Sequence, residues 1–272
     1  MDEPEPLYVP DELGSAYHLQ YTWTGWPSRG TFPARPEASF FDEIAEAWEG
    51  DGIRLRDGDW TPRQLQIVTS VTPGVSPVMF ASRIKGRLEY FLRRRGTPVD
   101  FARNFAVRTL GNNRRSDVES YIGEQVSRAG YADPKFKRFL EEFTVVDETV
   151  DLSEPTRTNS GRYWYNLHLV LTVRDRYRMT QREALRTLRD WCGKVAGAKG
   201  YRISALSVMP DHLHVALRGD IQKAPRVIAA SFMNNLAYGV GHMPLWQPSF
   251  YAGSFGEYDS GAIDNDGALL PG

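Results

Sequence analysis

Two histidines one residue apart, His212 and His214, are the residues best placed by type and spacing to do chemistry. They stand in MPDHLHVALRG, residues 209–219, behind a turn signal at Pro210-Asp211. Alternate side chains of a strand share a face, so both imidazoles point one way while Leu213 enters the core. That arrangement can present two nitrogen ligands to a single metal ion. Taken alone, an H-x-H pair also fits two surface histidines on a half-exposed strand. The flanking residues and the presence of only five histidines in the chain move the balance toward a site.

The elements that must position this strand come in two similar sets. Tyr17-His18-Leu19-Gln20 and Tyr165-Asn166-Leu167-His168 open two strand-like runs offset by 148 residues. At the same offset Pro62-Arg63-Gln64-Leu65-Gln66 falls on Pro210-Asp211-His212-Leu213-His214, and Leu88-Glu89-Tyr90 on Leu236-Ala237-Tyr238. Three landmarks sharing one offset indicate a duplicated module. Each copy reads strand, helix, two strands, helix, strand, helix. In the first copy the strands are 17–26, 53–58, 64–71 and 102–109, with helices at 36–48, 76–94 and 114–128. In the second, the equivalents are 162–173, 180–195, 201–208, 212–218, 224–239 and 249–255. This order fits an α+β fold: two ferredoxin-like domains, each an antiparallel sheet with helices on one face. The expected boundaries are a tail at 1–15, a first domain at 16–143, a polar linker at 144–160 lacking periodicity, and a second domain at 161–272.

Composition sets the frame. The chain has 272 residues, 41% apolar and 25% charged, ordinary for a water-soluble protein and long enough for two domains. No apolar run is long enough to span a bilayer, and the acidic, Pro-rich start MDEPEPLYVPDELG is unlike a signal peptide. The single cysteine, Cys192, lies in an amphipathic pattern and reads as a small buried hydrophobe. A cytoplasmic location is expected. Net charge is −1, yet the stretch from Ala81 to Arg115 holds ten Arg and Lys against two acids. Arg83, Lys85, Arg87, Arg93, Arg94, Arg95, Arg114 and Arg115 could therefore track a phosphate backbone; a solvated helix face is the plainer alternative.

MPDHLHV resembles the HUH motif of the single-tyrosine transposases, the small insertion-sequence and REP-associated enzymes. The likeness extends to Phe105–Gly111 (FAVRTLG), followed by Tyr121-Ile122-Gly123-Glu124-Gln125, which looks like that family's last strand and tyrosine helix, and to Trp246–Gly256 (WQPSFYAGSFG) as the same strand in the second copy. The resemblance implies a tyrosine that attacks a DNA phosphodiester, leaving a 5′-phosphotyrosine and a free 3′-hydroxyl. It also implies two histidines, and a glutamine one turn beyond the tyrosine, holding Mg²⁺ or Mn²⁺. The implied partner is single-stranded, hairpin-containing DNA. Such chemistry suits these residues: a phenol near pKa 10 is a poor nucleophile until the phosphate charge is managed.

The departures are informative. The HUH position of the first copy is Gln64-Leu65-Gln66, without imidazoles, and the tyrosine position of the second copy is Asp266. Each half is broken in a complementary way. Family members are often dimers whose sites join the histidines of one subunit to the tyrosine helix of the other. The implication is one composite site, His212 and His214 with Tyr121 and Gln125, inside a monomer acting as a pseudo-dimer, with Gln64, Gln66 and Asp266 as its degenerate counterpart. On a helix Tyr121 and Gln125 share a face. Tyr258 is the rival nucleophile. Tyr90 and Tyr238 read as packing residues, His18 and His168 as sheet residues near the site rather than ligands, His242 as a loop residue, and Asp211 as a turn residue. Trp23, Trp26 and Trp60 could stack on bases but read first as packing. Two competing readings are a catalytically silent DNA-hairpin-binding protein and a metal-dependent phosphohydrolase that uses water.

Overall fold

The computed structural model describes residues 5–241 and 243–257. Two six-stranded sheets, each with a helical layer, make up an α+β architecture. In chain order the strands are β1 (Gly14–His18), β2 (Gln20–Pro27), β3 (Ile53–Trp60), β4 (Leu65–Val71), β5 (Phe101–Leu110), β6 (Thr144–Val146), β7 (Thr156–Arg157), β8 (Gly161–Trp164), β9 (Asn166–Val173), β10 (Arg202–Val208), β11 (His212–Arg218) and β12 (Trp246–Phe255). The α-helices are α1 (Ala38–Glu49), α2 (Pro77–Arg94), α3 (Arg115–Gly123), α4 (Gln125–Arg128), α5 (Pro134–Glu141), α6 (Arg182–Lys199) and α7 (Pro225–Gly239). Among the described residues no helix is long and apolar enough to cross a membrane.

The first sheet has the order β3-β4-β2-β5-β8-β7 and the second β1-β12-β9-β11-β10-β6. Each therefore contains four antiparallel strands in the same relative order, β3-β4-β2-β5 and β10-β11-β9-β12. Period-2 alternation sends one set of side chains to the helices. In the first half Tyr21, Trp23, Leu65 and Ile67 pack with Phe40, Ile44, Trp48, Phe80, Ile84 and Leu88; in the second Leu167, Leu169, Leu213, Val215 and Leu217 pack with Leu185, Leu188, Ile228 and Phe232. Trp23 and Trp60 belong to this core, as does Cys192. At about 25 cal/mol per Å² of apolar surface, such side chains contribute about 1.5–3 kcal/mol each.

The halves are interlocked by their opening strands. β1 leaves the first half and pairs in parallel with β12 of the second sheet, while β8 pairs in parallel with β5 of the first. A single residue separates each of these arms from the following strand, Leu19 between β1 and β2 and Tyr165 between β8 and β9; both are fully buried. At the crossing Tyr21 and Tyr165 meet edge-on at 6.1 Å, Thr109 Oγ1 donates to the Phe255 carbonyl at 2.7 Å, and the Gln20 N–H donates to Ser254 Oγ at 2.8 Å. Gly111 is required here because a Cβ would stand 2.2 Å from the Ser254 carbonyl oxygen.

Four differences from the sequence reading stand out. Residues 144–160, expected as a linker, supply β6, which pairs with β10, and β7, which pairs with β8. Within the expected tail at 1–15, the described part is docked: Tyr8 is buried, its N–H donates to Asn234 Oδ1 and its hydroxyl accepts from the Trp246 N–H at 2.6 Å. The helix expected over 114–128 breaks at Glu124 (φ −93, ψ 3) into α3 and α4. An extra helix, α5, follows, started by Asp133 as N-cap and Pro134 in the first turn. Tyr258, Asp266 and His242 lie outside the described residues.

Candidate active site

The open face of the second sheet, opposite α6 and α7, carries the paired histidines. Leu213 is buried in the core while His212 and His214 project from the other side of β11. Register then decides what they meet. On β9, His214 lies opposite Val170 and His168 opposite Ala216, so His168 and His214 are diagonal neighbours, within reach of long side chains. Their rings stack at 5.2 Å, and His168 Nε2 and His214 Nδ1 are 2.9 Å apart in a hydrogen bond. His212 and His214 rings are 4.9 Å apart, nearly perpendicular.

His212 is held from behind by Asp211. Its Nδ1 lies 2.7 Å from Asp211 Oδ1, and Arg176 approaches the same carboxylate at 3.4 Å. Burial pushes the Asp211 carboxyl up, but the bonds from His212 and Arg176 outweigh it and hold the group below its usual value. The turn is pinned independently by the Met209 N–H to the His212 carbonyl and the Val173 N–H to the Asp211 carbonyl, at 2.8 and 2.9 Å. Asp211 thus orients an imidazole as well as forming the turn.

The lid of this face comes from the other half of the chain. After the turn at Gly111-Asn112-Asn113, α3 starts with the Arg114 N–H donating to Asp117 Oδ2, which reaches back from the first turn. Val118 and Ile122, one turn apart, pack on Ala205, Ala216 and Phe255 of the second sheet. Three residues after Val118, Tyr121 then falls beside the histidines. Its ring meets His214 edge-on at 5.6 Å and His168 at 6.1 Å, and Arg128 lies over it at 5.4 Å. Tyr251 of β12 approaches His168 from the far side at 5.9 Å; Gly253 makes room for its hydroxyl, which would be 2.8 Å from any Cβ there. Together Asn113, Asp117, Tyr121, Arg128, His168, His214 and Tyr251 line a cleft of about 520 Å³.

Burial keeps the His168 and His214 imidazoles neutral. Burial pushes His168 down to about 4, and burial, reinforced by His168 and His212, pushes His214 down to about 2. A neutral imidazole keeps a lone pair for a metal or a proton. Among the described residues, however, no group of three or more His, Cys, Asp or Glu side chains is gathered as a metal cage.

Of the expected site residues, Tyr121 and His214 meet across the two halves, and His212 adjoins His214 without lining the cleft. Gln125 does not line the cleft: it is buried, and its side-chain NH₂ donates to the Tyr121 carbonyl at 3.1 Å. Gln66 lies on β4 of the first sheet, opposite Thr24, and Gln64 just precedes that strand, both far along the chain from the histidines. None of the cations from Arg83 to Arg95 lines the cleft. Arg83 and Arg87 pair with Asp51, Lys85 with Glu89, and Arg94 and Arg95 with Glu43, while Arg93 is exposed. Arg115 pairs with Asp151 and Glu257, and the Arg114 backbone caps α3. His168 and Tyr251 are the residues that sequence reasoning did not bring to the centre. Their nearness depends on strand register between β9, β11 and β12, which no local spacing encodes.

Comparison with known proteins adds a family. Residues 162–265, the segment holding both histidines, match the family described as IS200-like transposases. Among solved structures, a protein described as a transposase from Deinococcus radiodurans R1 is similar at 26% identity, over 32% of this chain and 75% of that one, with a TM-score of 0.28. A REP-associated tyrosine transposase bound to a REP hairpin is similar at 19% identity, over 37% of this chain and 60% of that one, with a TM-score of 0.30. No curated protein matches the chain.

Proposed function

We propose that this chain, matched over residues 162–265 by the IS200-like transposases, is a single-stranded DNA nicking and joining enzyme with Tyr121 as nucleophile. The observation that carries the reading is the contact of Tyr121, from the first half, with His214, from the second, at 5.6 Å between ring centroids. In the reaction Tyr121 Oη forms a bond to the scissile phosphorus and the bond from phosphorus to the 3′-oxygen breaks. The strand downstream of the cut stays on the tyrosine through its 5′-phosphate, as a phosphodiester, and the upstream strand leaves with a 3′-hydroxyl. The proton lost by the phenol ends on the departing 3′-hydroxyl. Joining is the reverse, with a new 3′-hydroxyl attacking the phosphotyrosine.

The donor chemistry fits a divalent cation held by His212 and His214. His212 bonds a carboxylate through Nδ1, the arrangement that leaves Nε2 as the ligand atom and orients the ring, and burial keeps His214 neutral. When bound, Mg²⁺ or Mn²⁺ would supply charge stabilisation to the scissile phosphate. Oxygen atoms from DNA and solvent would complete its shell, since Gln125 is engaged by the Tyr121 carbonyl. Arg128 at the cleft rim supplies positive charge beside the phenol. Arg93, Arg94 and Arg95, exposed at the end of α2, contribute at most outlying contacts to a DNA backbone.

The same reading takes 16–143 and 161–272 as two copies of one module joined through 144–160. Their common strand order and reciprocal arms support it. A second reading, a DNA-hairpin-binding protein without chemistry, is favoured by one observation: His214 Nδ1 and the Gln125 amide are both satisfied within the protein. Incubation with labelled single-stranded DNA from the chain's own locus and Mn²⁺ separates the two. An SDS-resistant protein–DNA band, lost in Tyr121→Phe, is expected; binding without any such band supports the silent protein.

A further inference from the structure

The first sheet has an open face too, and its chemistry differs from that of the histidine cleft. There Trp26, Gln64, Arg108, Arg157, Arg162 and Trp164 line a cleft of about 530 Å³, nearly the size of the first and within the range of small-molecule sites, about 300–1,000 Å³. Among the described residues no carboxylate lines it. We propose that this cleft binds an unpaired nucleotide of single-stranded DNA, holding the strand without cutting it. The inference rests on the reading of the chain as a DNA enzyme.

Three features carry it. First, Arg157 and Arg162 are direct partners across the β7–β8 pair, and both are exposed. Like charges directly opposite one another destabilise a ladder. Among the described residues neither arginine has a carboxylate at ion-pair distance. An anionic group at the mouth of the cleft would remove that repulsion, and a phosphodiester has the charge and the paired oxygens that guanidinium groups bind best.

Second, the wall is a flat cation–aromatic layer. The Arg108 guanidinium lies 3.5 Å from the centre of the Trp164 ring, and Trp164 is itself fixed by donating its indole N–H to the Ser153 carbonyl at 2.5 Å. Trp26, half-buried, stands in the same lining. Bases stack on such surfaces whatever their identity, for about 1–3 kcal/mol each.

Third, Gln64 replaces the imidazole that its counterpart His212 carries on β11. A primary amide offers a donor pair and an acceptor to a base edge but little to a metal ion. The substitution removes cutting chemistry while keeping a means of hydrogen-bonding a nucleobase.

The test uses the full chain with Tyr121→Phe, so that the strand stays whole, and a single-stranded oligonucleotide carrying 5-iododeoxyuridine. Photo-crosslinked peptides are mapped by mass spectrometry, and affinity is read by fluorescence anisotropy. Crosslinks to the peptides containing Trp26 or Trp164 are expected. Arg157→Glu with Arg162→Glu should weaken binding by about tenfold or more, whereas Arg186→Glu with Lys199→Glu, an equal charge change on α6, should change it by less than about threefold. Crosslinks confined to peptides of the Tyr121 cleft, with the two double variants equally weakened, would overturn the inference and leave the proposed function standing. Tighter binding of the matching RNA strand would overturn it as a DNA site. Absence of binding to any single strand would overturn both this inference and the DNA reading beneath it.

Discussion

Tyr121 and His214 face each other edge to plane, 5.6 Å between ring centres, although one belongs to a helix of the first half and the other to a strand of the second. The contact exists because Val118 and Ile122 anchor α3 on the open face of the second sheet. A site built this way depends on the junction of the halves as much as on the residues that react.

The metal half of the site should therefore lie in the second sheet alone. His212→Ala and His214→Ala are each expected to lower Mn²⁺ affinity, read by titration calorimetry, and to reduce nicking by about 100-fold or more. Asp211→Asn keeps the ring but loses the carboxylate behind it, and should cost about 10–100-fold in affinity. Gln64→Ala and Gln66→Ala should leave Mn²⁺ affinity unchanged; an equal loss there would mean that the first sheet holds the metal.

Two phenols approach the histidines, and they should separate cleanly. Tyr121→Phe removes one exposed oxygen without disturbing the Val118–Ile122 anchor, so DNA binding stays while the covalent adduct disappears. Tyr251→Phe should retain the adduct, since burial pushes the Tyr251 phenol up, away from the ionised form. An adduct that survives Tyr121→Phe and is lost in Tyr251→Phe would reverse the assignment.

Much of this architecture can be read directly from residue order. The α+β class, the helices at 76–94 and 224–239, and the outward pairing of His212 and His214 follow from periodicity and turn signals. What local pattern does not encode is the pairing between distant strands. His168 meets His214 only because β9 and β11 align with Val170 opposite His214, and β1 crosses to β12 only in the folded chain. The segment 144–160 looks polar because its short strands lie at sheet edges, where one side of each faces water. The start of α5 at Asp133-Pro134 was legible in principle, since an N-cap aspartate followed by proline is a helix-start signal.

The junction should also be a point of weakness. In Gly111→Ala the new methyl would meet the Ser254 carbonyl oxygen at 2.2 Å, a backbone atom that cannot swing aside. Overpacking of this kind costs about 1–3 kcal/mol, and the thermal midpoint should fall by several degrees. Because α3 begins four residues after Gly111, adduct formation should fall in the same variant by more than its loss of folded protein. An unchanged midpoint would mean that the halves are not held together at this contact.

The central claim, one site assembled from both halves of one chain, is tested most directly by mixing two defective proteins. Tyr121→Phe lacks the nucleophile; His212→Ala/His214→Ala lacks the metal ligands. Each alone, with labelled single-stranded DNA and Mn²⁺, should give no SDS-resistant adduct, whereas the unaltered chain does. If Tyr121 serves the histidines of its own chain, an equimolar mixture also gives none. Recovery of adduct in the mixture, carried on the protein with the altered histidines, would contradict the account by showing that the site is completed between chains.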